Sequence, residues 1–347
     1  MDETILLAHG SGGQMSHGLI EGLFLKYLGN PILAALDDAA VVDPPGASGG
    51  GRLAFTTDSY VISPIFFPGG DIGKLAVCGT VNDLAMSGAT PIYLSAGFIL
   101  EEGLPLAELE RVVASMAETA RAAGVSIVAG DTKVVEHGKA DRLFINTAGI
   151  GRVPAGLELG NDRVRPGDLI LLSGTVGDHG MTIMSQREGL RFSSPLQSDC
   201  APLNGLVTAM LAALLAADDA GWGALHCMRD PTRGGVATVL NEIAARSGVG
   251  IEVEEAAIPV REAVRAACEL LGLDPLYVAN EGKLLAFVSP EGAEPLLAAM
   301  RAHADGREAA IIGRVTAEHA GRVALRTVLG ARRVLSMLAG EQLPRIC

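Results

Sequence analysis

The sequence predicts two globular domains built from mixed helices and strands, and three observations carry that prediction. The chain has 347 residues, enough for two cores of ordinary size. Strand-like and helix-like apolar patterns alternate along almost its whole length. The alternation lapses once, between Gly156 and Pro166, where Pro166-Gly167-Asp168 reads as a turn before a strand pattern restarts at Leu169. The expected division is a glycine-rich N-terminal segment (1–35), a first domain (36–155), a second domain (166–330) and a mobile tail (331–347).

In chain order, the cluster Gly10-Ser11-Gly12-Gly13 precedes a helical pattern that runs to about Tyr27. Residues 34–42 carry Asp37-Asp38, and the Pro/Gly-rich stretch 44–51 reads as a hairpin tip. A strand over 52–57 ends at Asp58-Ser59. Asp71 opens a helix that reaches Gly88 with Asp83 inside otherwise apolar sequence. A strand (91–100), an amphipathic helix (105–123) and a strand (125–129) that runs into Gly130-Asp131-Thr132-Lys133 follow, and then a strand over 142–153 containing Asn146. The second half reads as a strand (169–173), a helix after Gly177-Asp178-His179-Gly180, and a strongly apolar helix (199–217). Next come Arg229-Asp230-Pro231-Thr232-Arg233-Gly234-Gly235 leading into a helix, a strand (251–253), a helix (259–271), the polar turn 277–283, a strand (284–288), a helix (290–303) and two final strands.

Composition removes several classes of function. Net charge is −13 with lysine and arginine scattered, so nucleic acid is not an expected partner. The longest apolar run, 206–217, is too short to span a bilayer, and the first residues have no cationic leader, so no membrane is expected and the cytoplasm is. The 5 cysteines are widely spaced without a C-x-x-C pair, which suggests neither a zinc site nor a disulfide framework.

Several groups suggest chemistry. Glycine clusters let backbone amides approach phosphate, and they also make ordinary flexible termini. Asp38, Asp58, Asp83 and Asp131 each sit at a strand end or in an apolar helix, where a lone carboxylate is costly to bury unless paired or ligated. Singly each reads as a cap or turn residue, and together they suggest an oxygen-ligand site for Mg²⁺ on nucleotide phosphates. Lys133 serves a phosphate or is merely solvated. His179 is a loop residue or touches ligand, Glu281 is a general base or a turn carboxylate, and the helix after Gly235 offers amides to an anion. The chain ends Pro344-Arg345-Ile346-Cys347, where proline stiffens the approach of a terminal thiol whose pKa the neighbouring carboxylate should raise.

The pieces Thr57-Asp58-Ser59, Phe66 to Lys74, Gly79-Thr80-Val81-Asn82-Asp83-Leu84, Gly130-Asp131-Thr132-Lys133, Gly177-Asp178-His179-Gly180, Asp230 to Gly235, Asn280-Glu281-Gly282-Lys283 and the terminal Pro-Arg-Ile-Cys resemble, in order, the HypE family of hydrogenase maturation factors. That resemblance implies the superfamily of aminoimidazole ribonucleotide synthetase and selenophosphate synthetase. It implies a PurM-like α+β fold: an N-terminal α+β domain that dimerises through its sheet into a barrel-like core, and a C-terminal α/β sandwich, with ATP and Mg²⁺ in the cleft between them. Carried onto this chain, it implies nucleotide contacts from Gly12, Gly13, Asp58, Lys74, Asn82, Asp131, Asn146 and Asp230, and metal contacts from Asp38, Asp58, Asp83 and Asp131.

The implied reaction is ATP-dependent dehydration of a carbamoyl group on Cys347 to a thiocyanate. Lys133 assists phosphoryl transfer, Glu281 acts as base and His179 is the reserve base. The implied partners are a second copy of the chain, the carbamoyltransferase HypF as donor, and a HypC–HypD iron scaffold as acceptor of cyanide for a [NiFe] hydrogenase. The tail is expected to alternate between exposed and inserted states, with ATP favouring insertion. Two other readings stand beside this one: a related enzyme that phosphorylates a free small molecule, and a non-enzymatic scaffold that delivers metal or ligand.

Overall fold

The computed structural model describes residues 4–44, 51–190, 195–217, 221–338, 343 and 345–347. The hairpin tip read at 44–51 and the stiffening Pro344 therefore fall mostly or wholly outside the described residues. Helices α1 (Gln14–Leu19) and α2 (Leu25–Leu28), joined by a π turn, open the chain. The first domain then follows: β1 (Ala40–Val42), β2 (Arg52–Tyr60), the short pair β3 (Phe66–Phe67) and β4 (Gly70–Asp71), α3 (Ile72–Met86), β5 (Thr90–Glu101), α4 (Leu106–Ala122), β6 (Ser126–Val135) and β7 (Leu143–Val153).

Its sheet has the order β1-β2-β7-β5-β6, and its one parallel pair, β5 with β6, is joined across α4 as a crossover requires. Helix α3 begins where it does because Asp71 Oδ1 accepts from the amides of Gly73 (2.7 Å) and Lys74 (3.1 Å), satisfying two of the donors that a helix start leaves open. The helix is buried on nearly all sides, which explains why its sequence is apolar without amphipathic rhythm. It packs on β2, β7 and α4, while the opposite face of the sheet leaves Phe55, Tyr93, Ile99 and Ile150 exposed.

The second domain contains β8 (Leu169–Leu172), α5 (Asp178–Arg187), α6 (Asn204–Ala216), β9 (Leu225–Arg229), α7 (Gly235–Ser247), β10 (Gly250–Glu254), α8 (Glu262–Leu271), β11 (Leu285–Val288), α9 (Pro290–Ala302), β12 (Ala310–Thr316), β13 (Val323–Arg326) and β14 (Arg332–Val334). Its sheet runs β14-β13-β10-β12-β8-β11-β9, with α6 and α9 packed on one face and α7 on the other. Leu84, Ala85 and Met86 of α3 share one core with Leu203, Leu206 and Met210 around α6, so the domains join through apolar contact.

The structure departs from the sequence reading at five places. Strand β6 continues through Gly130–Lys133 instead of ending there, because its edge position lets Asp131 and Lys133 stay in solvent. Strand β9 was not anticipated, since four of its five residues are buried on both faces and show no alternation. Helix α6 starts at Asn204, after Pro202. The segment between the domains is packed, with Leu157 and Asn161 buried. The first part of the expected tail is β14, followed by the buried Leu335.

Replacing Asp71 with alanine should lower the unfolding free energy by about 1 kcal/mol in denaturant titration through loss of the α3 cap, and an unchanged midpoint would contradict that role.

Candidate active site

A cavity of about 520 Å³ opens between the domains, in the size range of small-molecule sites. Gly10 and Gly12 line it from the N-terminal segment, Asp38 precedes β1, Thr56 and Asp58 lie in β2, and Asp83 belongs to α3. Asp230, Thr232 and Arg233 complete it from the loop before α7. Gly12 has φ +77°, and a Cβ there would meet Arg233 Cβ at 2.9 Å, so the close approach of this segment to the cavity requires glycine.

The cavity concentrates like charge. Burial raises the carboxyl of Asp83 well above the usual range, and Asp230, Asp38 and Asp58 push it further. Burial likewise raises Asp38 against the pull of Arg229, and Asp58 against the pull of Arg233. Asp230 rises to about 6, again chiefly through burial. Two cations answer this charge. Arg229 Nε pairs with Asp38 Oδ1 at 2.7 Å and its other end with Glu242 at 3.1 Å, while Arg233 donates to the Gly10 carbonyl at 3.1 Å. Neither arginine was singled out by the sequence reading. The signal for Arg229 was a charged residue closing an apolar strand, which needs a buried carboxylate partner.

Glu281 is 3% exposed, in the polar turn read from the sequence, which is buried. Burial is also the main reason its carboxyl is raised well above the usual range, and its Oε1 has no hydrogen-bond partner among the described residues. The turn is pinned from several sides. Asn82 Nδ2 donates to Ala201 O (3.1 Å) and Glu281 O (3.4 Å), and Asn82 Oδ1 accepts from Leu203 N (2.7 Å). Asp199 accepts from Glu281 N (3.1 Å) and pairs with Lys283 (3.1 Å).

The C-terminus enters this site from the side of β2. Val61 N donates to Cys347 O (3.1 Å) and Ser63 N to Arg345 O (3.4 Å), and Ile346 is buried in the first domain's core. Burying that side chain contributes about 1.5–3 kcal/mol. Cys347 lies within the field of Arg233, Glu281, Asp58 and Asp230, and burial pushes its thiol up to about 12. The direction agrees with the sequence reading, but the cause is desolvation within the site. His179 holds the same segment: Nε2 donates to Ile346 O at 2.7 Å and Nδ1 accepts from Ser198 Oγ at 2.7 Å, in the tautomer that suits both partners. Burial lowers its pKa, so the ring is neutral. Both ring nitrogens are thus engaged, one of them on the tail.

The structure thus brings together Asp38, Asp58, Asp83, Asp230, Glu281, Gly12 and Cys347. Other predicted residues stand elsewhere. Asp131 and Lys133 pair with each other at 2.7 Å on the exposed edge strand β6. Asn146 is on the exposed face of β7 and donates to Asp58 O (2.8 Å) and Ser59 Oγ (3.0 Å). Lys74 donates to Gly69 O (2.9 Å), and Gly13 caps α1, where a Cβ would collide with Leu338 O at 2.4 Å. Among the described residues no group of three or more acidic, histidine or cysteine side chains is gathered as a metal cage. The orphaned, buried Asp38 Oδ2, together with the mutual repulsion of Asp38, Asp58 and Asp83, nevertheless fits a hard divalent cation. No helix among the described residues is long and apolar enough to cross a membrane.

Comparison with known proteins gives a consistent result. The AIR synthase related family matches twice, its N-terminal domain at residues 36–153 and its C-terminal domain at 165–326. The chain is 59% identical over 345 residues to the carbamoyl dehydratase HypE of Azotobacter vinelandii, covering 99% of this chain and 97% of that one. A HypE crystallised in complex with ATP is 55% identical with a TM-score of 0.80, covering 99% and 100% of the two chains. A HypE in a HypE–HypF complex is 48% identical with a TM-score of 0.84, covering 92% of this chain and 99% of that one.

The raised thiol predicts how docking responds to pH. Because docking favours the neutral sulfur, its contribution is complete below the ordinary thiol pKa of about 8.5 and is lost as pH climbs toward 12. An isotope-labelled Cys347 Cβ should therefore titrate, by NMR, well above the value of a free cysteine peptide; coincidence of the two midpoints would contradict the docked geometry.

Proposed function

This chain belongs to the HypE carbamoyl dehydratase family, and from that premise we propose that it uses ATP to dehydrate a carbamoyl group carried on its own Cys347 to a thiocyanate, in the service of hydrogenase maturation. The single observation that carries the assignment to its own tail is the seat of Cys347 in the field of Glu281, Arg233, Asp58 and Asp230, the last three of which line the cavity together with the N-terminal glycines.

The chemistry explains the arrangement. An amide oxygen leaves poorly, so the γ-phosphoryl group of ATP is transferred to the carbamoyl oxygen, which then departs as phosphate. Both nitrogen protons are lost as the nitrile forms. One of these protons goes out with phosphoryl transfer, and Glu281 is the proposed acceptor of the other, since burial raises its carboxyl and so makes it a stronger base, and Oε1 is uncommitted. Arg233 offers a cation beside the sulfur, and the amides around Gly12 suit the phosphates. Asp38, Asp58 and Asp83 are the proposed holders of Mg²⁺, which when bound offsets the charge of the triphosphate. A neutral, half-buried thiol suits a site that receives an already carbamoylated sulfur and has no need of a thiolate.

The carbamoyl donor in this reading is HypF, the protein named with HypE in the crystallised complex. Cyanide would pass to a HypC–HypD iron scaffold, with the sequence taking place in the cytoplasm. A homodimer is proposed through the outer face of the first sheet, where Phe55, Tyr93, Ile99 and Ile150 stand exposed. That face also carries Asp131, Lys133 and Asn146, so their proposed roles depend on a second copy.

Protein carbamoylated at Cys347 and given ATP should lose the mass of one water as ADP forms; ADP release with no change in mass would point instead to a free small-molecule acceptor. Glu281→Gln should slow the mass change by about 10²–10⁴-fold, and a wild-type rate would remove Glu281 as base. Tyr93→Asp should shift sedimentation toward the monomer, and if that monomer keeps full turnover, no residue is required from a second copy.

A further inference from the structure

The docked tail is held in one particular register, and side chains hold it. Residues 345–347 run antiparallel to residues 61–63, joined by hydrogen bonds from the Val61 amide to the Cys347 carbonyl and from the Ser63 amide to the Arg345 carbonyl. The carbonyls on the same edge accept from guanidinium groups. Arg345 Nε donates to Val61 O at 3.0 Å, and Arg187 Nε donates to Ser63 O at 2.6 Å. Arg187 also donates to the Arg345 carbonyl, and Arg345 pairs at 2.5 Å with Asp141, just before β7. Between these two clamps Ile346 drops into the core that contains Ile62 and Ile145.

Arg345 has a positive φ of 51°, so the segment is no regular strand, and its register is fixed residue by residue: a slip of one position removes every side chain from the seat it occupies. In the observed register Ile346 is buried in the core, while Cys347, half-buried at the edge of the same core, lies in the field of Arg233, Glu281, Asp58 and Asp230. One step away, arginine or cysteine would have to fill the seat of Ile346 in the core, and the sulfur would leave its place beside Arg233. The amide ladder does not choose between these, because backbone bonds are the same for every sequence. We propose that the seat reads Arg345, through Asp141 and the Val61 carbonyl, together with Ile346, and that Arg345 is thereby the specificity-determining residue that limits dehydration to a thiocarboxamide preceded by arginine and isoleucine. Its action is through placement of the sulfur, so it is a positioning residue. The inference rests on the dehydration reading above and adds to it a recognition site for the substrate segment.

A reciprocal charge exchange tests it, using full-length protein whose terminal thiol is carbamoylated chemically with cyanate, so that recognition by a carbamoyltransferase does not enter. The variants are Arg345→Asp, Asp141→Arg and the double exchange. The readouts are the single-turnover loss of water by intact mass, the ATP dissociation constant, and hydrogen exchange at the Val61 and Ser63 amides. Arg345→Asp should slow dehydration by about 100-fold and release both amides, leaving the ATP dissociation constant unchanged. The double exchange should recover at least about tenfold of that loss and restore protection, which a merely structural role would not produce. A wild-type rate for Arg345→Asp, or a double exchange no faster than Arg345→Asp, overturns the proposal. If wild-type protein itself fails to lose water, it is the dehydration reading that fails. The amide protection then decides the register alone: lost in Arg345→Asp and regained in the exchange supports it, and unchanged protection overturns it.

Discussion

Keeping five carboxylates in one cleft away from water is the constraint on which the rest of the structure depends. Asp38, Asp58, Asp83, Asp230 and Glu281 all sit above their usual pKa, in each case chiefly through burial. Arg229 and Arg233 offset part of that cost, but Asp38 and Glu281 each retain an oxygen with no hydrogen-bond partner among the described residues. A site of this kind is unfavourable when considered alone and becomes favourable when cations and a polyanion share it. The two apolar cores that meet along α3 and α6 supply the rigidity that such a cluster needs.

The seat of the tail is built differently. It uses two backbone hydrogen bonds, one buried isoleucine, one neutral histidine and a half-exposed ion pair between Arg345 and Asp141. Exposed pairs of this sort contribute little each, so the sum is enough to place the sulfur and small enough to release it. Release matters in the proposed cycle, since a terminus that collects its carbamoyl group from another protein must leave the cleft between turnovers. Neutrality of the thiol serves the same end, because a thiolate would be drawn to Arg233 and held.

Much of this was legible in the sequence, and what was not has physical reasons. Asp71 before an apolar run announced α3, and the motif residues around Asp58, Asp83, Asp230 and Glu281 do converge. The destination of Asp131 and Lys133 was hidden, because a strand position alone does not say which face of a sheet the cleft occupies or that β6 lies at an edge. The hold of His179 on the tail was not legible, because its partner is a main-chain carbonyl 167 residues away, which no spacing reveals. Asn82 reads as a ligand contact, yet its amide is spent on the loops around Ala201, Leu203 and Glu281. The arginines that matter most to the tail, Arg187 and Arg345, look in sequence like ordinary solvated side chains.

The central claim is that the carbamoyl oxygen on Cys347 is carried away on phosphorus. It is tested most directly by placing a heavy-oxygen label in that carbamoyl group, adding ATP in unlabelled water, and weighing the phosphate released. The account predicts that the label is found in inorganic phosphate, one atom for each thiocyanate formed. Thiocyanate formed alongside unlabelled phosphate would contradict it, because the oxygen would then have left by a path in which ATP activates something else.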